Sequence, residues 1–83
     1  MTENGFPCPC CGYLALRQPP PGTFEICPVC WWEDGYAQYL HVDLEGGANN
    51  VSLRAARKNF AAFGASDEAG LKIVRRPKAD EIP

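Results

Sequence analysis

Two cysteine pairs constrain this chain more than any other feature. Cys8-x2-Cys11 and Cys27-x2-Cys30 stand fifteen residues apart, the C-x2-C, spacer, C-x2-C arrangement of a four-cysteine zinc site. Two residues between cysteines allow a tight turn that aims both sulfurs at one ion while its backbone N–H groups hydrogen-bond the thiolates. Pro9 and Pro28 stiffen the two turns, and Gly12 relieves crowding after the first pair. Four thiolates suit a tetrahedral ion at a metal–sulfur distance of about 2.3 Å. The pattern predicts one Zn2+ per chain, held by Cys8, Cys11, Cys27 and Cys30. Iron is the alternative, since closed four-thiolate sites suit either metal. Cys10, the fifth thiol, is expected to point away from the ion. It has two other readings: a ligand in place of Cys11 or Cys8, or a reactive thiol, which requires a lowered pKa and exposure.

A metal is also what the size of the chain calls for. Eighty-three residues fit one domain with a thin apolar core. Eight prolines and eight glycines restrict regular structure to a few short elements. The start, Met1-Thr2-Glu3-Asn4-Gly5, has neither the basic residues nor the apolar run of a signal peptide. No stretch approaches the roughly 20 apolar residues that span a bilayer. The expected compartment is therefore the cytoplasm, with no membrane partner, where thiols stay reduced. Five cysteines, an odd number, also argue against a closed disulfide framework.

The chain reads as a single domain over residues 1–83: a cysteine-bearing part at 6–32, an acidic loop at 33–50, a helical part at 51–76 and a loose tail at 77–83. Residues 13–16 and 23–26 read as two short strands joined through the turn at Pro19-Pro20-Pro21-Gly22. They form a hairpin with one cysteine pair before it and one after it. Trp31, Trp32 and Tyr36 are expected to add core area near the site. Ser52 is placed to cap a helix whose Leu53, Ala56, Phe60 and Phe63 form one apolar stripe, with Gly64 ending it. Ser66 is placed to cap a second, short helix that buries Leu71, Ile73 and Val74. Pro77 stops it. The fold class is thus a small α+β metal-stabilised domain, a zinc ribbon with rubredoxin-like knuckles on a β-hairpin, followed by one clear and one short helix.

No catalytic constellation is visible, and the chain is read as not an enzyme. His41, the only histidine, has no partner set around it and reads as a loop residue. Glu33, Asp34, Asp43 and Glu45 show no calcium-loop spacing and read as a solvated acidic loop facing Arg54, Arg57 and Lys58. That basic flank, with Arg75, Arg76 and Lys78, is the best case for nucleic acid, but a net charge of −2 disfavours it. Trp31, Trp32, Tyr36 and Tyr39 exceed what so small a core needs and point to a partner-binding surface.

Cys-Pro-Cys-Cys-Gly-Tyr at 8–13 and Cys-Pro-Val-Cys-Trp-Trp-Glu-Asp at 27–34 resemble the bacterial cysteine-rich CPCC domain family. The likeness continues through Gly-Gly at 46–47, Val-Ser-Leu at 51–53, Ala-Arg-Lys-Asn-Phe at 56–60 and Phe-Gly-Ala-Ser-Asp-Glu at 63–68, to Arg-Arg-Pro-Lys at 75–78. The resemblance implies a small zinc-binding domain without an established activity. A looser likeness joins the paired knuckles to those of rubredoxin and the rubrerythrin tail, which hold one iron. Glycine usually follows the last cysteine there, and Trp31 in that place counts against iron. The expected function is a non-enzymatic, zinc-binding interaction module with another protein as partner. One-electron transfer through iron is the alternative, and a nucleic-acid-binding zinc ribbon is third.

Overall fold

The computed structural model describes residues 5–83; residues 1–4, read above as lacking an export signal, lie outside the described residues. Two antiparallel pairings frame the cysteine turns. Phe6 N–H donates to Leu16 O at 2.7 Å, Leu16 N–H to Phe6 O at 3.1 Å, and Cys8 N–H to Tyr13 O at 2.9 Å. In the second unit Phe24 N–H donates to Asp34 O, Asp34 N–H to Glu25 O and Cys27 N–H to Trp32 O, each at 2.9 Å.

These pairings correct the expected hairpin. Residues 13–16 and 23–26 do not pair with each other; each returns against the other flank of its own cysteine turn, and Phe24, at φ 60°, interrupts the extended backbone expected at 23–26. Among the described residues the result is two isolated antiparallel bridges, Phe6–Leu16 and Ile26–Glu33, with no longer strand. The reason is local. The four-residue cysteine turns bring their own flanks together, whereas the connector at 17–22 holds three prolines that offer no N–H to a ladder. The Glu25 side chain serves the connector instead, its Oε1 accepting the N–H groups of Arg17 at 2.8 Å and Gln18 at 3.2 Å.

Two α-helices follow. Helix α1, Tyr36–Leu40, lies in the stretch read as an acidic loop. Its buried residue is Gln38, whose amide donates to Leu44 O and Val51 O and whose Oε1 accepts Asn49 N–H at 3.0 Å. Helix α2, Leu53–Phe63, has the expected ends. The Ser52 hydroxyl accepts Ala55 N–H at 3.1 Å, and Gly64, at φ 90°, donates its N–H to Phe60 O at 2.9 Å. Leu53 and Ala56 are buried and Phe60 packs edge-on against Tyr13 at 6.1 Å, but Phe63 is exposed, so the stripe ends one turn early.

The second expected helix is only one 3-10 turn, Glu68–Gly70, capped by Asp67 rather than Ser66. Ser66 is buried, Leu71 and Ile73 are exposed, and Val74 is half-buried. The tail expected to be loose is docked. A second 3-10 turn, Ala79–Glu81, hands Glu81 O to Leu14 N–H at 2.7 Å, and Arg75 clasps the Glu81 carboxylate through two bonds of 2.9 Å. The core gathers Leu16, Val29, Trp32, Leu53 and Ala56 around Cys8, Cys10, Cys27 and Cys30. Of the aromatic residues assigned to it, Trp32 is buried, Trp31 is half-buried and Tyr36 is exposed.

Candidate metal centre

The same turn is built twice. Gly12 N–H donates to Cys8 O at 2.8 Å and Trp31 N–H to Cys27 O at 2.7 Å. Each donor follows the second cysteine of its pair, and each has left-handed backbone, at φ 80° and φ 75°. Glycine adopts that conformation freely, whereas an L side chain does so at a cost. Trp31 is held there by packing: a Cβ added at Gly70 would lie 2.7 Å from its Cε3 and 2.8 Å from its Cβ and Cδ2.

The turns face each other, and all four predicted sulfurs converge. The Sγ atoms of Cys8, Cys11, Cys27 and Cys30 lie within 4.8 Å of one another. Across the two knuckles, Cys8 and Cys30 are 3.5 Å apart and Cys11 and Cys27 3.8 Å apart. A regular tetrahedron with metal–sulfur arms of about 2.3 Å has edges of about 3.8 Å. A disulfide would draw two sulfurs to about 2.05 Å, and all five cysteines are free. The donor set therefore fits a tetrahedral thiophilic cation. Cys8, Cys27 and Cys30 are buried and Cys11 is half-buried.

Crowding sets the electrostatics of the cluster. Hydrogen bonding among the sulfurs, and burial after it, pushes the thiols of Cys8, Cys11 and Cys30 above their ordinary value. The first partner is Cys11 for Cys8, Cys27 for Cys11 and Cys10 for Cys30. Cys27 is pushed down, by hydrogen bonding from Cys11 first. Without a cation the sulfurs share protons; a divalent cation supplies positive charge at that same point. Cys10 N–H also donates to Cys8 Sγ at 3.4 Å.

Three contacts clamp the knuckles from outside. Arg57 Nε donates to Pro9 O at 2.9 Å, Ser66 N–H to Cys30 O at 2.7 Å and Arg75 N–H to Pro28 O at 3.0 Å. Nothing in the sequence marks these three, because each joins positions far apart along the chain.

The other candidates are not brought to the sulfurs. His41 is exposed at the end of α1. Asp34 is buried, its Oδ2 accepting Thr23 N–H at 3.0 Å and the Thr23 hydroxyl at 2.8 Å. Glu33 engages the Asn49 carboxamide through its backbone, and Glu45 is exposed. The expected facing of acidic loop and basic flank is realised by Asp43 and Arg54, 2.6 Å apart at the surface. Lys58 and Arg76 are exposed. Cys10 is buried at 8 % exposure, unlike an accessible reactive thiol.

Fold and centre together define a small two-knuckle domain with a four-cysteine cluster compatible with metal binding. The chain belongs to the Cysteine-rich CPCC family, whose family model matches residues 6–81. No curated protein matches the chain. Among the described residues no helix is long and apolar enough to cross a membrane.

Proposed function

We propose that this chain is a non-enzymatic interaction module, most simply a protein-binding one, built on a structural zinc ion held by Cys8, Cys11, Cys27 and Cys30. The observation that carries the metal assignment is the sulfur geometry, with cross-knuckle distances of 3.5 and 3.8 Å against the roughly 3.8 Å of a tetrahedral zinc site. A centre closed by four protein ligands leaves no position for a substrate, which supports a structural role over a catalytic one. In that sense the molecule is a variant of the zinc ribbon, with each knuckle pairing its own flanks. Protein binding is supported by the outer face of α1, where Tyr36, Tyr39 and Leu40 are all exposed.

One finding keeps the iron reading in view. Trp31, whose side chain argued against a rubredoxin-like knuckle, takes the same left-handed backbone as Gly12. Metal analysis of protein grown with both metals available separates the two. One zinc per chain supports the structural site; one iron per chain, with thiolate-to-iron absorption, replaces it with electron transfer. The basic flank gives little support to nucleic acid, since Arg54 and Arg75 are paired with Asp43 and Glu81 and Arg57 with Pro9 O. Salt-dependent retention on DNA would reverse that assignment.

A further inference from the structure

We propose that the backbone edge at Ile26 takes a short, acidic, extended segment of a partner protein, which lies as an added strand in the cleft between residues 14–17 and 25–28. The inference rests on the protein-binding reading above, but on a surface other than α1. In the Ile26–Glu33 bridge the bonds run from Cys27 N–H to Trp32 O and from Asp34 N–H to Glu25 O. The N–H and C=O of Ile26 and Glu33 themselves therefore point outward, to opposite sides. Those two sides differ. Glu33 meets the Asn49 carboxamide, which accepts its N–H at 2.9 Å and donates to its O at 2.8 Å. Ile26 meets no hydrogen-bond partner among the described residues and is 54 % exposed. Asn49 thus shows what such an edge takes: an acceptor and a donor side by side, as an extended backbone presents them.

Ile26 lines a cleft of about 600 Å3 whose other wall is residues 14–17. The walls face each other, since Arg17 N–H reaches Glu25 Oε1 at 2.8 Å, and the Glu25 side chain closes one end in this way. The docked tail closes the other. Arg75 N–H bonds Pro28 O at 3.0 Å, Leu14 N–H bonds Glu81 O at 2.7 Å, and the Arg75–Glu81 clasp joins them. The edge itself is short, because Phe24, at φ 60°, leaves the extended conformation and Pro28 has no N–H. The occupant is therefore a few residues long. Charge narrows it further. Glu25 Oε1 accepts the N–H groups of Arg17 and Gln18, and Glu81 is paired with Arg75. The charged side chains at the cleft without a partner among the described residues are then Arg17 and Lys78 against Asp80, all three exposed. A segment that alternates apolar residues, beside the exposed Ile26, with acidic ones, towards Arg17 and Lys78, matches both features.

The test is NMR on the metal-loaded full chain, with a blocked hexapeptide of alternating valine and glutamate as the ligand. In the free chain the Ile26 amide is expected to exchange at least about tenfold faster than those of Cys27 and Asp34, which are bonded across the bridge. The peptide is expected to slow the Ile26 amide by about tenfold or more and to shift the signals of Ala15, Arg17 and Ile26. The same peptide N-methylated throughout keeps its side chains but has no backbone donors, and should bind at least about tenfold more weakly. Arg17→Glu should weaken binding of the unmethylated peptide by about tenfold; no change would overturn the acidic character assigned to the occupant. Equal binding of the methylated peptide would overturn the inference, as would no binding at about 1 mM or an Ile26 amide already protected in the free chain. A peptide that shifts Tyr36, Tyr39 and Leu40 and leaves Ile26 untouched would overturn it as well, while keeping the protein-binding reading at α1.

Discussion

Trp31 and Gly70 act as a single unit. Trp31 occupies the place where the first knuckle has Gly12, and its indole fills the space that a side chain at Gly70 would need. Gly70→Ala must push the indole or the knuckle backbone, because the nearest atoms, at 2.7 and 2.8 Å, include the Trp31 Cβ and not only the end of a flexible chain. The expected loss is about 1–3 kcal/mol, the range for overpacking a tight contact, read by denaturant unfolding of the metal-loaded protein. Gly12→Ala is the comparison. It meets no atom and bears only the backbone cost of left-handed conformation, about 1–2 kcal/mol. If Gly70→Ala is neutral, Trp31 is not held by this contact and its backbone geometry needs another cause.

At the scale of elements, legibility tracked whether an element's signals are local. Helix α2 was readable because Ser52, the stripe from Leu53 to Phe60, and Gly64 all lie within a few residues of one another. Helix α1 was not, because it has five residues and buries a glutamine, so no apolar period marks it. The alternation in residues 23–26 carried neither the left-handed backbone of Phe24, at φ 60°, nor the pairing partner, which is chosen by the shorter turn. Asn49 supplies what no short-range pattern encodes. Its carboxamide accepts Glu33 N–H at 2.9 Å and donates to Glu33 O at 2.8 Å, as a neighbouring strand would, and also donates to Gln38 Oε1 at 3.0 Å. Asn49→Ala is expected to cost about 1–3 kcal/mol by leaving the Glu33 backbone groups unpaired, and to expose the Glu33 amide to hydrogen exchange. The docked tail depends on a different long-range pair. The Arg75 guanidinium holds the Glu81 carboxyl down at about 2. A depressed carboxylate adds stability above its unfolded pKa of about 4.3, and that stability is lost as pH falls from there through 2. Glu81→Gln should therefore cost about 1 kcal/mol at neutral pH, as for a half-buried pair whose Arg75 side is open to solvent screening. The gap between variant and wild type should narrow as pH falls below about 4.3 and close only near 2. A gap that persists unchanged at pH 2 would mean that the clasp works through packing, not charge.

For the whole molecule, the centre and the core are one structure, and this is why the site was more legible than the fold. The spacing of Cys8, Cys11, Cys27 and Cys30 fixes which residues meet, whereas the clamps from Arg57, Ser66 and Arg75 follow only once the knuckles are folded. Four of the nine residues in the buried cluster are cysteines, and the rest, apart from Trp32, are small or medium-sized side chains. So little apolar volume gives a chain of this length a narrow margin, and binding free energy of a metal becomes folding free energy. Removing the metal leaves four close sulfurs with only shared protons between them. Three of these thiols are pushed upward, so the metal-free cluster keeps protons that a cation would displace. Chelation at neutral pH is therefore expected to abolish the near-ultraviolet circular dichroism of Trp31 and Trp32, which follow the last cysteine of the second knuckle, Trp32 within the core and Trp31 against Gly70. Readdition of one equivalent of zinc should restore it with release of protons, and restoration should weaken as pH falls because protons compete for the same sulfurs. Retention of the native aromatic spectrum after complete metal removal would show that the apolar core suffices by itself, and the ion would then have to be explained by what it does and not by what it holds together.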